Sequence, residues 1–130
     1  MGTAIVMQFY AVYNDKNPDL LDVLLASDYV GQVNGREIAG AAAAKRFVAG
    51  FLAAFPDVHY TIHDLIASGD KYTVRWSATA THSGAFLGIE PTHRPVSMLG
   101  ITIFQITDQR IAALWNVWDA AGLLEQIRPS

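Results

Sequence analysis

The residue best suited to acid–base chemistry is Asp119, which follows a strongly apolar stretch near the carboxyl end of the chain. Trp115, Val117 and Trp118 precede it. A carboxylate held against apolar and aromatic walls loses solvation, which raises its pKa towards the range that a general acid or base needs near neutral pH. An aspartate here also suits the N-cap of a following helix. The two interpretations are compatible, and both stay open.

The histidines are a second set of candidate groups. His59 and His63 lie four residues apart in a strand pattern, which separates them by about 13 Å and disfavours a shared metal ion. His82 lies in phase with Trp76 on the apolar side of its strand, where a lone histidine is either a core residue or a ligand contact. The chain has no cysteine and no cluster of carboxylates, so we predict no metal site.

Other polar side chains lie in patterns that allow two interpretations. Arg75 shares a strand face with serines and threonines, which is typical of solvent, although a cavity there would make it a buried cation in need of a carboxylate. Gln105 lies on the same row as Ile101, where an amide needs a partner or a ligand. Tyr10 and Tyr13 lie on the first predicted helix, either as core residues or as hydroxyl groups facing a cavity.

Two common catalytic signatures are missing from the sequence. No glycine-rich phosphate loop precedes a helix with the required spacing. No Gly-x-Ser-x-Gly motif is present. Nucleotide binding of that type and nucleophilic serine chemistry are therefore disfavoured.

Hydrophobic periodicity predicts the elements that position these residues. Helical spacing indicates helices over 5–14, 18–25 and 40–55, and a terminal helix over 120–127. Alternation predicts strands over 58–66, 72–82, 96–106 and 111–119, with a short strand near 29–33. Helices followed by a run of antiparallel strands are typical of an α+β fold with the helices on one face of the sheet.

The last predicted strand is apolar on both faces. Trp115 and Val117 lie on one face, and Leu114 and Trp118 on the other. A sheet with one solvated face alternates polar and apolar residues. Few elements are left to cover the second face, so we predict a homodimer through the outer face of the sheet.

Composition limits the class of protein. The chain has 130 residues, a net charge of −3 and 52% hydrophobic residues, which fits a single domain over 1–130. With no basic run, nucleic-acid binding is disfavoured. No apolar stretch approaches the roughly 20 residues of a membrane span. We therefore expect no nucleic-acid or membrane partner, and a cytoplasmic location.

Five segments together resemble the SnoaL-like polyketide cyclase (ester cyclase) family of the nuclear-transport-factor-2-like group. In chain order they are 55–59 (FPDVH), 81–84 (THSG), 88–95 (GIEPTHRP), 115–119 (WNVWD) and 122–127 (GLLEQI). They extend over nearly the whole chain.

The resemblance implies a curved antiparallel sheet wrapped on helices into a cone with a deep apolar pocket, often in a homodimer. It implies closure of a polyketide ring by intramolecular aldol condensation, with no metal and no cofactor. Asp119 matches the aspartate that removes the C–H proton and returns a proton to the new oxygen. The positions that match pocket-lining residues are His59, His82, Gln105, Trp115 and Tyr13.

Three classes of function follow from these observations. The leading one is a cofactor-independent enzyme that performs acid–base chemistry on a hydrophobic carbonyl substrate, with an isomerase, dehydratase or epoxide hydrolase as related possibilities on the same fold. The second is a binding protein for a small hydrophobic molecule, in which Asp119 only caps a helix. The third is a dimerisation module without a ligand.

Overall fold

The computed structural model describes residues 2–128. Its helices are α1 (Gly2–Asn14), α2 (Leu21–Leu24), α3 (Ala41–Ala54) and α4 (Ala120–Ile127), with a 3-10 turn at Pro18–Leu20. Its strands are β1 (Leu25–Val33), β2 (Arg36–Ala39), β3 (His59–Ser68), β4 (Lys71–Thr81), β5 (Pro95–Thr107) and β6 (Arg110–Trp118). The α+β class and most predicted elements are confirmed.

The predicted helix over 18–25 is confirmed except at Leu25, and its first turn is a 3-10 helix. Pro18 begins a 3-10 turn, α2 is only four residues long, and the chain is already extended at Leu25. Leu25 pairs with Ile111 of β6, and the Arg110 guanidinium donates a hydrogen bond to the Leu25 carbonyl at 3.2 Å. Strand pairing thus ends the helical segment at Leu24, and β1 begins before the predicted residue 29.

One sheet contains all six strands, in the order β2-β1-β6-β5-β4-β3. Neighbours run antiparallel except β1 and β6, which are parallel. The sheet is therefore mixed rather than purely antiparallel. The parallel pair joins β1, which precedes β2 and α3 in the chain, to β6, which follows them. Register shifts interrupt β1, β3 and the β5–β6 pair, and such irregularities bend a sheet.

The helices cover the concave face of this sheet. On β5 the inward residues Val96, Met98, Gly100, Thr102 and Phe104 are buried, and the residues that alternate with them lie outward. Asn14, at the end of α1, fastens the helix to β3 by accepting from the Tyr60 N–H at 2.7 Å and donating to the Tyr60 carbonyl at 3.2 Å. Within residues 2–128 no helix is long and apolar enough to cross a bilayer.

Candidate ligand-binding cavity

A cavity of about 50 Å³ lies between α1, α3 and the concave face of the sheet. Aliphatic and aromatic side chains form most of its wall. The lining residues are Phe9, Tyr10, Tyr13, Leu21, Leu25, Tyr29, Val33, Ile38, Ala44, Phe47, Val48, Tyr60, Trp76, Thr102, Leu114 and Asn116. Apart from tyrosine, none of these side chains is ionisable, so the site is electrically neutral at pH 7.

A short chain of hydrogen bonds crosses the sheet side of the cavity. The Trp76 indole N–H donates to Thr102 Oγ1 at 3.1 Å, and Thr102 Oγ1 donates to Asn116 Oδ1 at 3.0 Å. An indole can only donate, so Thr102 accepts from it and directs its own hydrogen to the amide. These three residues come from β4, β5 and β6, whose inward positions lie side by side in the sheet.

The cavity tyrosines are the protonatable groups of the site. Burial raises the pKa of Tyr10, Tyr13, Tyr29 and Tyr60 above its ordinary value, because a phenolate would lose its solvation there. The Thr102 hydroxyl lies beside Tyr10 and partly offsets that rise. All four are therefore neutral hydrogen-bond donors at physiological pH and unsuited to act as bases.

Three aromatic side chains separate this cavity from an open groove. A second cavity of about 20 Å³ adjoins the first and is lined by Phe47, Phe51 and Trp118, among others. The same three residues line a groove of about 630 Å³, together with Phe86 and Leu87 of the loop between β4 and β5. The groove therefore adjoins the interior cavities across these three side chains.

Glycine at position 100 lets two tryptophans pack on the floor of the second cavity. A Cβ atom there would overlap the Trp76 ring and the Trp118 Cβ. Gly100 pairs with both residues across the sheet, between β4 and β6. Any larger residue would displace an indole, so the glycine fixes the shape of the cavity floor.

Asp119 lies outside the cavity. Its side chain is exposed, and its Oδ1 accepts a hydrogen bond from the Gly122 N–H at 2.8 Å as the N-cap of α4. It lines an open groove on the outer face of the sheet together with His63, Arg75 and Leu99. The predicted desolvated environment is therefore not found, because the carboxylate faces outward in phase with Trp115 and Val117. Its catalytic role stays a prediction.

His82 is fully buried but does not line the cavity. Its Nδ1 accepts from the Thr92 N–H at 3.1 Å, and its ring packs on Phe55 with 5.7 Å between ring centroids. The backbones of His82 and Arg94 are also bonded, N–H to carbonyl, at 3.0 Å. His82 thus anchors the loop that borders the groove, and a contact with ligand stays a prediction.

The other predicted site residues are dispersed. Tyr13 lines both cavities. His59 is exposed at the start of β3, and Trp115 is 40% exposed on the outer face. Gln105 donates to Asp70 Oδ2 at 3.3 Å beside the β3–β4 turn, and Arg75 pairs with Asp64 at 2.6 Å on the solvated side. Of the candidates named from the sequence, the structure brings Tyr10 and Tyr13 to the cavity wall.

Thr102 and Asn116 are polar residues of the cavity that the sequence analysis did not identify. Asn116 lies between Leu114 and Trp118, in phase with the apolar face of β6, and Thr102 lies in phase with Phe104. A polar residue in an apolar row is the signal that would have found both. Gln105 carries the same signal but lies on the opposite face of β5 from Thr102.

Comparison with known proteins places the chain among related folds. The family described as SnoaL-like polyketide cyclase matches residues 4–127. A proposed polyketide cyclase from Acidithiobacillus ferrooxidans is 30% identical, with 98% of this chain and 94% of that one covered and a TM-score of 0.87. No protein with a curated description is significantly similar in sequence.

Two structures from Streptomyces are similar over comparable lengths. IdmH, a proposed polyketide cyclase from Streptomyces antibioticus, is 26% identical over 97% of each chain, with a TM-score of 0.86. AclR, a proposed hydroxylase from Streptomyces galilaeus, is 25% identical, with 97% of this chain and 94% of that one covered and a TM-score of 0.88. One fold thus carries different proposed reactions.

Proposed function

Because the chain belongs to the SnoaL-like polyketide cyclase family, we propose that it binds a small hydrophobic molecule in the cavity between α1, α3 and the sheet. The observation that carries this proposal is a neutral, mostly apolar wall interrupted by a few hydrogen-bonding groups. Such a wall is typical of sites for small organic ligands, in which apolar area supplies affinity and a few polar groups fix orientation.

The size of the cavity limits how a ligand enters. One water molecule needs a cavity volume of roughly 10–15 Å³. The cavity of about 50 Å³ therefore holds only a compact chemical group. A larger ligand would extend through the second cavity towards the groove, displacing Phe47, Phe51 or Trp118. The part of such a ligand that binds deepest is therefore small. The remainder of the ligand lies nearer the loop that His82 anchors.

Filling the cavity from α3 tests this proposal. Ala44 lines the cavity, whereas Ala42 is exposed on the same helix. With the compact ketone 1-indanone as the probe, we expect Ala44→Leu to weaken binding about tenfold or more, because the added side chain occupies the ligand's space. Titration monitored by NMR measures the affinity.

Ala42→Leu is the matched control and should bind as the unmodified protein does. Equal affinity of Ala44→Leu and Ala42→Leu would show that the probe binds elsewhere. An absence of binding to the unmodified protein would reject the cavity as a site for compact apolar molecules.

A second candidate function is aldol-type ring closure with Asp119 as the base. The family match over 4–127 favours it. In this reaction a base removes a proton next to a carbonyl, the enolate carbon forms a bond to a second carbonyl carbon, and the resulting alkoxide takes up a proton. For Asp119 to act, its carboxylate would have to leave the Gly122 N–H and reach the substrate past Trp118.

A pair of substitutions at Asp119 separates capping from catalysis. Asparagine caps helices as well as aspartate does but is no base, whereas alanine does neither. If Asp119 is the base, Asp119→Asn should lose at least about 100-fold in ring closure of a linear poly-β-ketone. Its stability should be nearly unchanged, while Asp119→Ala should lose about 1 kcal/mol.

Product formation and urea unfolding measure the two effects separately. Ring closure by Asp119→Asn at the rate of the unmodified protein would exclude Asp119 as the base. That result would leave the proposal of ligand binding in the cavity unchanged.

A further inference from the structure

The Tyr10 hydroxyl has an environment that calls for a partner. Tyr10 is 4% exposed, and its hydroxyl makes no hydrogen bond within residues 2–128. Buried polar groups are nearly always paired, and leaving one unpaired costs stability. A phenylalanine would keep the ring contacts with Phe9 and Phe104 without this cost. The hydroxyl therefore has a use that the packing of the empty cavity does not explain.

The Asn116 amide lines the same cavity. Its oxygen is occupied by the Thr102 hydroxyl, as the direction of the chain from Trp76 requires. Its Nδ2 makes no hydrogen bond to the described residues. Tyr10 from α1 and Asn116 from β6 therefore both neighbour Thr102 and both line the same cavity.

On the basis of the proposed binding function, we propose that the Tyr10 hydroxyl and Asn116 Nδ2 together bind an uncharged acceptor oxygen of the ligand, such as that of a ketone, aldehyde or ester. A carboxylate would find no cation in the cavity wall, and an ammonium would find no anion. Two neutral donors fit one carbonyl oxygen, which has two lone pairs. The same pair would stabilise negative charge on that oxygen if a proton next to the carbonyl were removed.

Two probes with the same carbon skeleton measure the contribution of the carbonyl oxygen to binding. 1-Indanone and indane differ by a single carbonyl oxygen. The unmodified protein should bind 1-indanone about 3- to 10-fold more tightly than indane, as expected for a neutral hydrogen bond. Tyr10→Phe should bind both probes with similar affinity. Asn116→Leu removes the N–H donors without placing a carboxyl group in the neutral cavity, and it should also reduce the preference.

Tyr72→Phe is the control, because Tyr72 lies outside the cavity against Gly2. It should keep the preference for 1-indanone. A preference that survives in Tyr10→Phe, or equal binding of both probes to the unmodified protein, would overturn the subsite while leaving the cavity as a ligand site. Failure of both probes to bind would overturn the proposed function and the subsite together.

The thermal stability of Tyr10→Phe gives a second, independent readout. If the hydroxyl serves a ligand, its removal from the empty protein relieves an unpaired buried group, so the melting temperature should equal or exceed that of the unmodified protein. A melting temperature lower by roughly 4 °C or more would assign the hydroxyl a structural role and overturn the proposal.

Discussion

Four of the chain's five tyrosines line one cavity, although they come from different elements. Tyr10 and Tyr13 lie on α1, Tyr29 on β1 and Tyr60 on β3. Tyr13 and Tyr60 are in contact, with 4.8 Å between ring centroids. Such a group of neutral phenols can position the oxygens of a ligand through hydrogen bonds, but it cannot accept a proton at neutral pH.

Alkaline titration tests the burial of these tyrosines. Burial raises their pKa in the folded protein above the unfolded value of 10.0. A raised folded pKa contributes stability that is complete below pH 10.0 and is lost as the pH rises above it, because the unfolded chain ionises first. We expect the free energy of unfolding to fall steeply above pH 10, with phenolate absorbance at 295 nm appearing together with unfolding.

Tyr72→Phe keeps all four cavity tyrosines and should retain this behaviour. Tyr13→Phe removes one of them and should reduce the slope of stability against pH. Full ionisation of the cavity tyrosines at their ordinary pKa while the protein stays folded would show that water reaches the hydroxyl groups freely.

At the scale of the elements, the phase of β6 decides which residues reach the cavity. Leu114, Asn116 and Trp118 face the interior, while Trp115 and Val117 face outward. The alternation of this strand was predictable from its sequence. The family resemblance nevertheless pointed to Trp115 and Asp119, which share the outward phase. A sheet that is apolar on both faces does not reveal from its sequence which face encloses a ligand.

Helix α4 shows how a cap and a catalytic position can coincide in sequence. Asp119 lies directly after β6 and directly before α4, so its backbone turns between strand and helix. The capping interpretation is confirmed by the bond from the Gly122 N–H. Capping needs only this local geometry, whereas catalysis would need proximity to a ligand that another face of the sheet encloses.

At the scale of the whole molecule, the outer face of the sheet is a large exposed apolar surface. Its adjacent residues Leu99, Ile101, Trp115 and Val117 are 61%, 49%, 40% and 68% exposed. They lie on the central strands β5 and β6, where Ile101 pairs with Val117. Contiguous apolar surface of this kind is typical of protein interfaces. We propose that a second copy of the chain covers it in a homodimer.

Introducing a charged residue into this apolar surface tests the proposed homodimer. We expect light scattering at micromolar concentration to give about twice the 14.2 kDa of the chain. Val117→Lys should reduce the measured mass to that of a single chain. Each copy would bury one ammonium group at an isologous interface, so two charges would lose their solvation. Val23→Lys is the control, since Val23 is 60% exposed and lies on α2 rather than on β5 or β6. A monomeric mass for the unmodified protein would reject the proposal.

The order of elements, the α+β class and the two alternating faces of the central strands were determined by the sequence, because hydrophobic periodicity is a local property of the chain. The short α2 and the parallel pairing of β1 with β6 were decided by tertiary structure, since both depend on residues that are distant in sequence. The same holds for the cavity, where Tyr10, Thr102 and Asn116 meet only after the sheet curves around α1. Local spacing cannot specify such a meeting, because it requires three separate elements to pack around one space.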